Sequence, residues 1–469
     1  MAEASFIENR TYDDIAIGDS ATLSRTLAKS DIELFAVVSG DVNPAHVDEA
    51  YAATDLFHHV VAHGMWGGAL ISAVLGTELP GPGTIYLEQS LRFRHPVGVG
   101  DTIATTVTAR EKRPEKREIL FDCRCVNQGG REVITGTAEV IAPTQRVRVA
   151  RTELPSVQLQ RRDNYRHLIE AARTHPAMLT GVVHPCDGVS LSTAVQAALA
   201  GLIIPVLIGP EARIKAESER LQLDISAFPI MPVPHSQAAA AEGVRMARAG
   251  EVAALMKGSL HTDELMHEVA HGTLGLRTAR RISHVYIMDI PTYSKPLMIT
   301  DAAINIAPTL EDKRDICQNA IELAIALGVA RPKVAILSAV ETVTAKLPST
   351  LDAAALCKMA DRKQITGGDL DGPLAFDNAI DSAAAAAKGI VSPVAGAADI
   401  LLVPDLEAGN MLAKQLTFLA NAEAAGIVLG ARVPIILTSR ADSVRTRLAS
   451  CAVAVILSAS RAALPSGDD

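Results

Sequence analysis

The chain has 469 residues, 48% hydrophobic and 21% charged, with a formal net charge of −9. That length and apolar content supply two or three domains with full cores, and without a long block of like charge neither nucleic acid nor an anionic membrane is an expected partner. Six scattered cysteines (123, 125, 186, 317, 357 and 451) suit reduced packing residues better than a disulfide framework. With no basic and apolar leader and no unbroken apolar run of about twenty residues, the expected location is cytoplasmic.

The first informative stretch is Ser39-Gly40-Asp41-Val42-Asn43-Pro44-Ala45-His46, a carboxylate and an imidazole five residues apart across an Asn-Pro turn. Pro44 disfavours the helical region for Asn43, so the chain turns there and brings Asp41 and His46 toward a common water. A second reading has Asp41 and Asn43 capping a helix that starts at Pro44. The run from His63 to Gly76 is apolar nearly all round, which predicts a buried helix. Gly64 opens that helix, so its amide belongs to the unpaired first turn, where the dipole favours negative charge. An oxyanion donor and a close-packing glycine are both compatible with that position. Ser72, on the same helix, is a candidate that also suits a bond to a backbone carbonyl. His58, His59 and His63 lack ligand spacing with a third group and read as neutral loop or helix-start residues.

Alternating segments follow. Leu87, Gln89, Leu91 and Phe93 face one way against Glu88, Ser90, Arg92 and Arg94, and similar patterns run over 102–111, 117–127 and 131–142. Period two with polar partners predicts antiparallel strands with one wet face. Cys123 and Cys125 share a strand face, but no second pair completes a zinc site, so no metal is expected. The run from Ser39 to His46, together with His63-Gly64-Met65, resembles the MaoC-like, (R)-specific enoyl-CoA hydratases. That resemblance implies an α+β hot-dog domain over residues 8–142. It also implies a catalytic Asp41–His46 pair, a Gly64 amide that polarises a thioester carbonyl, and Asn43 and Ser72 as substrate-binding residues.

Residues 143–163 lose both periodicities and read as a linker. Beyond it, over 164–463, short strands at 179–183, 203–208, 252–256, 284–289, 333–337, 399–403 and 433–437 alternate with helical runs. That grammar predicts an α/β fold with a mainly parallel sheet in two subdomains. Ligands of such folds bind beyond the strands' carboxyl ends, which singles out His184–Gly188, Lys257–Ser259 and Thr438–Asp442. Neither GxxxxGK[ST] nor GxGxxG is present. Five ordered blocks, His184-Pro185-Cys186-Asp187, Lys257-Gly258, Thr300 to Asn305, Asp371 to Asp377 and Thr438-Ser439-Arg440, resemble the phosphate acetyl/butyryltransferases. The resemblance implies that Ser439 and Arg440 lie in the active site and that Lys257, Gly258 and Asp301 bind substrate. Arg440 offers a bidentate fork to phosphate, and Ser439 a donor to sulfur or carbonyl. Ser439 and Asp442 also suit capping of the final helix, and Asp301 and Asp377 also suit structural ion pairs. Thr446 stands where the acetyl-specific branch has an Asp, which favours the butyryl-like branch. Arg277, Arg280 and Arg281 form either a solvated face or a CoA phosphate site.

Both halves together resemble bifunctional proteins that join an enoyl-CoA hydratase to a phosphate acetyltransferase. The expected reactions are hydration of 2-enoyl-CoA to (R)-3-hydroxyacyl-CoA and transfer of an acetyl or butanoyl group between CoA and phosphate. Acyl-CoA and inorganic phosphate are then the partners, with CoA thioester as substrate, no tightly bound cofactor, and a homo-oligomer of at least a dimer. Two other readings make the first half an inert dimerisation module or the second a regulatory acyl-CoA sensor. Retention of Asp41, His46 and Gly64, and of Ser439-Arg440, argues against each.

Overall fold

In the computed structural model, which describes residues 6–152, 154, 157, 164–437 and 442–463, the chain divides into two units, Met1–Gln160 and Arg161–Asp469. The strands of the first are β1 (Phe6–Glu8), β2 (Ser20–Thr26), β3 (Ile85–Phe93), β4 (Thr102–Arg113), β5 (Glu118–Val126), β6 (Glu132–Ile141) and β7 (Arg148–Ala150). Five of them form an antiparallel sheet in the order β2-β4-β5-β6-β3. Alternation along β4 and β5 turns Ile103, Val107, Phe121, Cys123 and Cys125 inward, where they share one core with Ile71, Val74 and Leu75 of the helix Gly64–Thr77. This is the hot-dog arrangement. Burial pushes the Cys123 thiol up to about 12, as expected for a packing residue.

Three features of this unit depart from the sequence reading. A single sheet covers only one side of the long helix, so its apolar second side is open, with Met65, Ala69, Ser72 and Gly76 exposed. β3 is an edge strand, and Leu87 and Phe93 on it are exposed where an inward face was expected. Part of the expected linker is also folded into the unit: β7 pairs antiparallel with β1. Asn9 accepts from the Val147 amide at 2.7 Å and donates to Gln145 O at 2.9 Å. The compact unit divides from the next at 160/161 and so takes in β7 as well as residues 8–142.

The strands of the second unit are β8 (Met178–Val183), β9 (Ile203–Gly209), β10 (Ile230–Pro232), β11 (Ala254–Lys257), β12 (Ser283–Asp289), β13 (Leu297–Thr300), β14 (Lys333–Leu337), β15 (Asp369–Leu374), β16 (Ile400–Leu402), β17 (Glu423–Leu429) and β18 (Ile435–Leu437). They make one mixed sheet, β10-β9-β8-β11-β18-β17-β12-β13-β16-β14-β15. The pairs β18/β17, β17/β12 and β12/β13 are antiparallel and the others parallel. β15 and β17 escaped the sequence reading because Gly372-Pro373 and Ala424-Ala425-Gly426 interrupt them with residues that disfavour strands.

Alternate residues of one strand enter different cores, as Val182 and Val183, Leu207 and Ile208, and Ile427 and Val428 all do. One face of the sheet carries a continuous core that includes Val182, Leu207, Val285, Ile287, Ile336 and Ile427. The opposite face carries two separate cores, one around Val183, Ile208 and Leu255, the other around Met288, Ile299 and Leu401. The expected two subdomains are thus two cores on one face of a shared sheet.

Candidate active sites

The first site begins where the helix Lys29–Ser39 ends. Gly40 adopts the left-handed conformation (φ 73°) and donates to Ala36 O, a helix stop that residues with a Cβ take at a cost. The Asp41 carboxylate then accepts the Asn43 amide at 3.1 Å. Asn43 caps the short helix Pro44–Val47 by accepting the Ala45 amide, so for Asn43 the capping role holds. That helix presents His46, whose Nδ1 lies 2.8 Å from Val61 O. A carbonyl only accepts, so Nδ1 carries the proton and the lone pair of the neutral ring is on Nε2.

His63, read from sequence as an ordinary helix-start residue, belongs to this constellation. It is 3% exposed. Its Nε2 donates to Asp41 O at 3.0 Å, and its ring lies 4.0 Å from the His46 ring. One ligand atom from each of Asp41, His46 and His63 falls within 4.8 Å of the others, a span that one water making two ordinary hydrogen bonds bridges. Among the described residues these three groups are also the set able to hold a cation. One nitrogen of each ring is, however, already tied to a backbone carbonyl.

His46, His63 and Gly64 line a cavity of about 340 Å³ whose walls include Trp66, Phe93 and Ile134. Gly64 lies in the helix's first turn, where amides have no intrahelical acceptor. A Cβ on it would meet the Phe93 ring at 3.0 Å. Asp41 and Asn43 are exposed beside this cavity's lining, and Ser72 is exposed two turns along the helix, outside it.

The second site forms at the carboxyl ends of the adjacent strands β8, β11 and β18; described residues of the junctions after β11 and β18 line its cavity, and His184, after β8, does not. Ser259 ties the β8 and β11 junctions together, donating to His184 O at 2.8 Å while its hydroxyl lies 3.0 Å from His184 Nδ1. Burial holds His184 below the usual imidazole range, with Arg213 adding to the effect. Lys257, Ser259, His261, His284, Tyr286, Asn410, Lys414, Leu437 and Asp442 are among the residues around a cavity of about 530 Å³. Its walls come from both cores of the split face: Leu437 packs on one, Tyr286 and the helix Leu406–Leu419 on the other.

Lys257 reaches this cavity while donating to Leu260 O at 3.0 Å. Gly258 does not line it: a Cβ there would stand 2.4 Å from Val183 O and 2.5 Å from His184 O, so the glycine serves close backbone approach. Asp301 is 2% exposed. Its carboxylate accepts from the Ala303, Ile304 and Asn305 amides and from Asn305 Nδ2, shaping the loop through which Ala303 reaches the cavity. Gly258 and Asp301 are therefore supports for the site. Ser439 and Arg440 lie outside the described residues; Leu437 and Asp442, the described residues on either side of them, both line the cavity. Arg280 pairs with Glu322 at 2.6 Å, and Arg281 with Asn305 Oδ1 at 2.6 Å and Asp312 at 3.5 Å, which suits the solvated face more than a phosphate site. His284, Asn410 and Lys414 were missed. A histidine in a strand reads as core, and Asn410 and Lys414, one helical turn apart, read as a solvated helix face.

Residues 233–455 match the family described as phosphate acetyl/butaryl transferase, and residues 16–126 match the MaoC like domain. The phosphate acetyltransferase of Rhizobium meliloti is 66% identical over 299 residues, which cover 64% of this chain and 95% of that protein. The chain belongs to the phosphate acetyl/butyryltransferase family. Within it, the second unit is the phosphate acetyl/butyryltransferase domain and the first a MaoC-like domain. A branched-chain phosphotransacylase from Enterococcus faecalis V583 is 30% identical to the family domain here, covering 60% of this chain and 99% of its own, with a TM-score of 0.53. An (R)-hydratase from Pseudomonas aeruginosa, solved unliganded, is 45% identical over 33% of this chain and 99% of its own, with a TM-score of 0.32. No described helix is long and apolar enough to cross a membrane.

Proposed function

We propose that the MaoC-like unit hydrates 2-enoyl-CoA to (R)-3-hydroxyacyl-CoA and that the phosphate acetyl/butyryltransferase unit moves a short acyl group between CoA and phosphate. The observation that carries the first half is the convergence of Asp41 and His46 to within 4.8 Å beside an apolar cavity that Gly64 also lines. In the hydration, Asp41 and the Nε2 lone pair of His46 hold a water, and the pair takes its proton as the oxygen adds to the β-carbon. Charge moves to the thioester oxygen, where the Gly64 amide and the dipole of its helix stabilise the enolate. The proton then returns to the α-carbon. The small apolar cavity supports a short acyl chain.

In the second unit, thiolate and phosphate exchange places on one carbonyl carbon. Arg440 is the proposed anion clamp and Ser439 the proposed donor to sulfur or carbonyl, with Lys257 adding positive charge to the cavity wall. Self-association as a homo-oligomer is supported by β3, an edge strand with Ile85, Leu87 and Phe93 exposed.

The test is Asp41→Asn in the full chain. Crotonyl-CoA hydration should fall by about two to four orders of magnitude while phosphate-dependent CoA release from acetyl- or butanoyl-CoA stays at the wild-type rate. Hydration surviving in the variant refutes the assignment of Asp41.

A further inference from the structure

Two rings of β12, His284 and Tyr286, line the cavity of the second unit. His284 and Tyr286 alternate on the strand with Val285 and Ile287, so both rings point to the face of the sheet that carries two cores. The rings pack edge to face at 4.4 Å. His284 is 1% exposed, and its Nδ1 is buried with no hydrogen-bond partner among the described residues.

The sequence opposite makes room for this ring. Gly426 on β17 is the register partner of Tyr286. A Cβ on Gly426 would stand 3.0 Å from His284 Nε2 and 3.0 Å from Leu437 O. A phenylalanine or leucine would fill the place of His284 without an orphaned polar atom, and leaving a buried polar group unpaired costs a fold stability. A buried imidazole kept in that condition at the wall of a substrate cavity has its partner in the substrate.

We propose that His284 is a substrate-contacting residue of the acyl transfer site, a neutral imidazole that donates a hydrogen bond to the acyl carbonyl oxygen. This rests on the acyl transfer reading of the unit. The carbonyl is the group that acyl-CoA and acyl phosphate share, and its oxygen gains negative charge when thiolate or phosphate adds, so a fixed donor there acts on the transition state in both directions. Of the other polar groups of the reaction, phosphate has the proposed Arg440 clamp and the positive charge of Lys257, and the thiol requires a proton acceptor. Burial holds the His284 imidazolium down to about 3, so the ring does not take that proton at neutral pH. The charged groups facing the same cavity, Lys257, Asp263, Lys414 and Asp442, together with His261, are left to that task. No proton moves on His284 in either direction of transfer.

The test uses the full chain with His284→Phe and His284→Asn, measuring thermal unfolding, crotonyl-CoA hydration, and phosphate-dependent CoA release from acetyl- and butanoyl-CoA. Wild-type chain without any CoA release would overturn the acyl transfer reading itself. With wild type active, His284→Phe should keep or raise the unfolding temperature and lower kcat/KM for acyl-CoA about 100-fold, most of it in kcat, with KM for phosphate unchanged. His284→Asn, which retains an N–H donor, should recover at least part of that loss and keep the wild-type shape of the pH profile between pH 6 and 9. Hydration should not change. Undiminished CoA release in His284→Phe overturns the proposal. So does a His284→Phe chain that unfolds at lower temperature with no rescue by asparagine, because the ring is then a packing residue.

Discussion

His284 also makes the stability of the second unit depend on pH in a direction that follows from its burial. The ordinary imidazole value is 6.5, and the folded environment lowers it to about 3 through desolvation. Below pH 6.5 the unfolded chain takes up a proton that the folded chain refuses until about pH 3, so the unfolded state gains as the solution is acidified. The stability is fully present above pH 6.5 and is lost as pH falls. One pKa step is about 1.4 kcal/mol, so the whole window is worth about 5 kcal/mol, of which about 3 kcal/mol is already lost at pH 4.5. For a unit of this size that is a fall of several degrees in unfolding temperature. Carboxylates titrate in the same range, so the measurement is a difference: wild type minus His284→Phe, unfolded thermally at pH values from 7.5 to 4.5, following the transition of the second unit. The difference should grow steadily more unfavourable to wild type as pH drops. Parallel curves for the two proteins would show that the buried ring is protonated or solvated in the folded state and would refute the reasoning.

Gly64→Ala should leave the first unit folded, since the Phe93 ring that a Cβ would meet at 3.0 Å is itself half exposed and able to swing. On the proposed function, hydration of crotonyl-CoA should nevertheless fall at least tenfold, because the added methyl and the displaced Phe93 ring change the shape of the cavity that both residues line; an unchanged kcat would show that the acyl group does not pass beside Gly64. His63→Phe keeps the ring against His46 but deletes the donor to Asp41 O, so kcat for hydration should drop about tenfold or more while CoA release from the second unit is untouched. Ending a first-unit fragment at residue 142 in place of 160 strips Asn9 of its bonds to Gln145 and Val147 and removes the strand that pairs with β1. Calorimetry should show the shorter fragment less stable by about 1–3 kcal/mol, and equal melting temperatures would return the boundary to 142.

Much of the MaoC-like site was legible in the chain itself because its chemistry is local. Asp41, Asn43 and His46 lie within six residues, and Gly40 and Pro44 set the backbone between them by φ restrictions that need no tertiary partner. Period-two patterning gave β3 to β6 for the same reason, and short β-branched runs gave β8, β9, β11, β12, β14, β16 and β18. Contacts between distant residues carried no local mark. His63 looked like any helix-start histidine until the fold returned it to Asp41, 22 positions earlier in the chain. The exposure of β3 and of one side of the Gly64–Thr77 helix depends on which surfaces a single sheet covers, and side-chain polarity does not encode that. The antiparallel pairs at the centre of the second sheet, the division of one of its faces into two cores, and the placement of His284 between them arise from strand order. Strand order is decided when the whole sheet closes, and so it was settled by the tertiary structure alone.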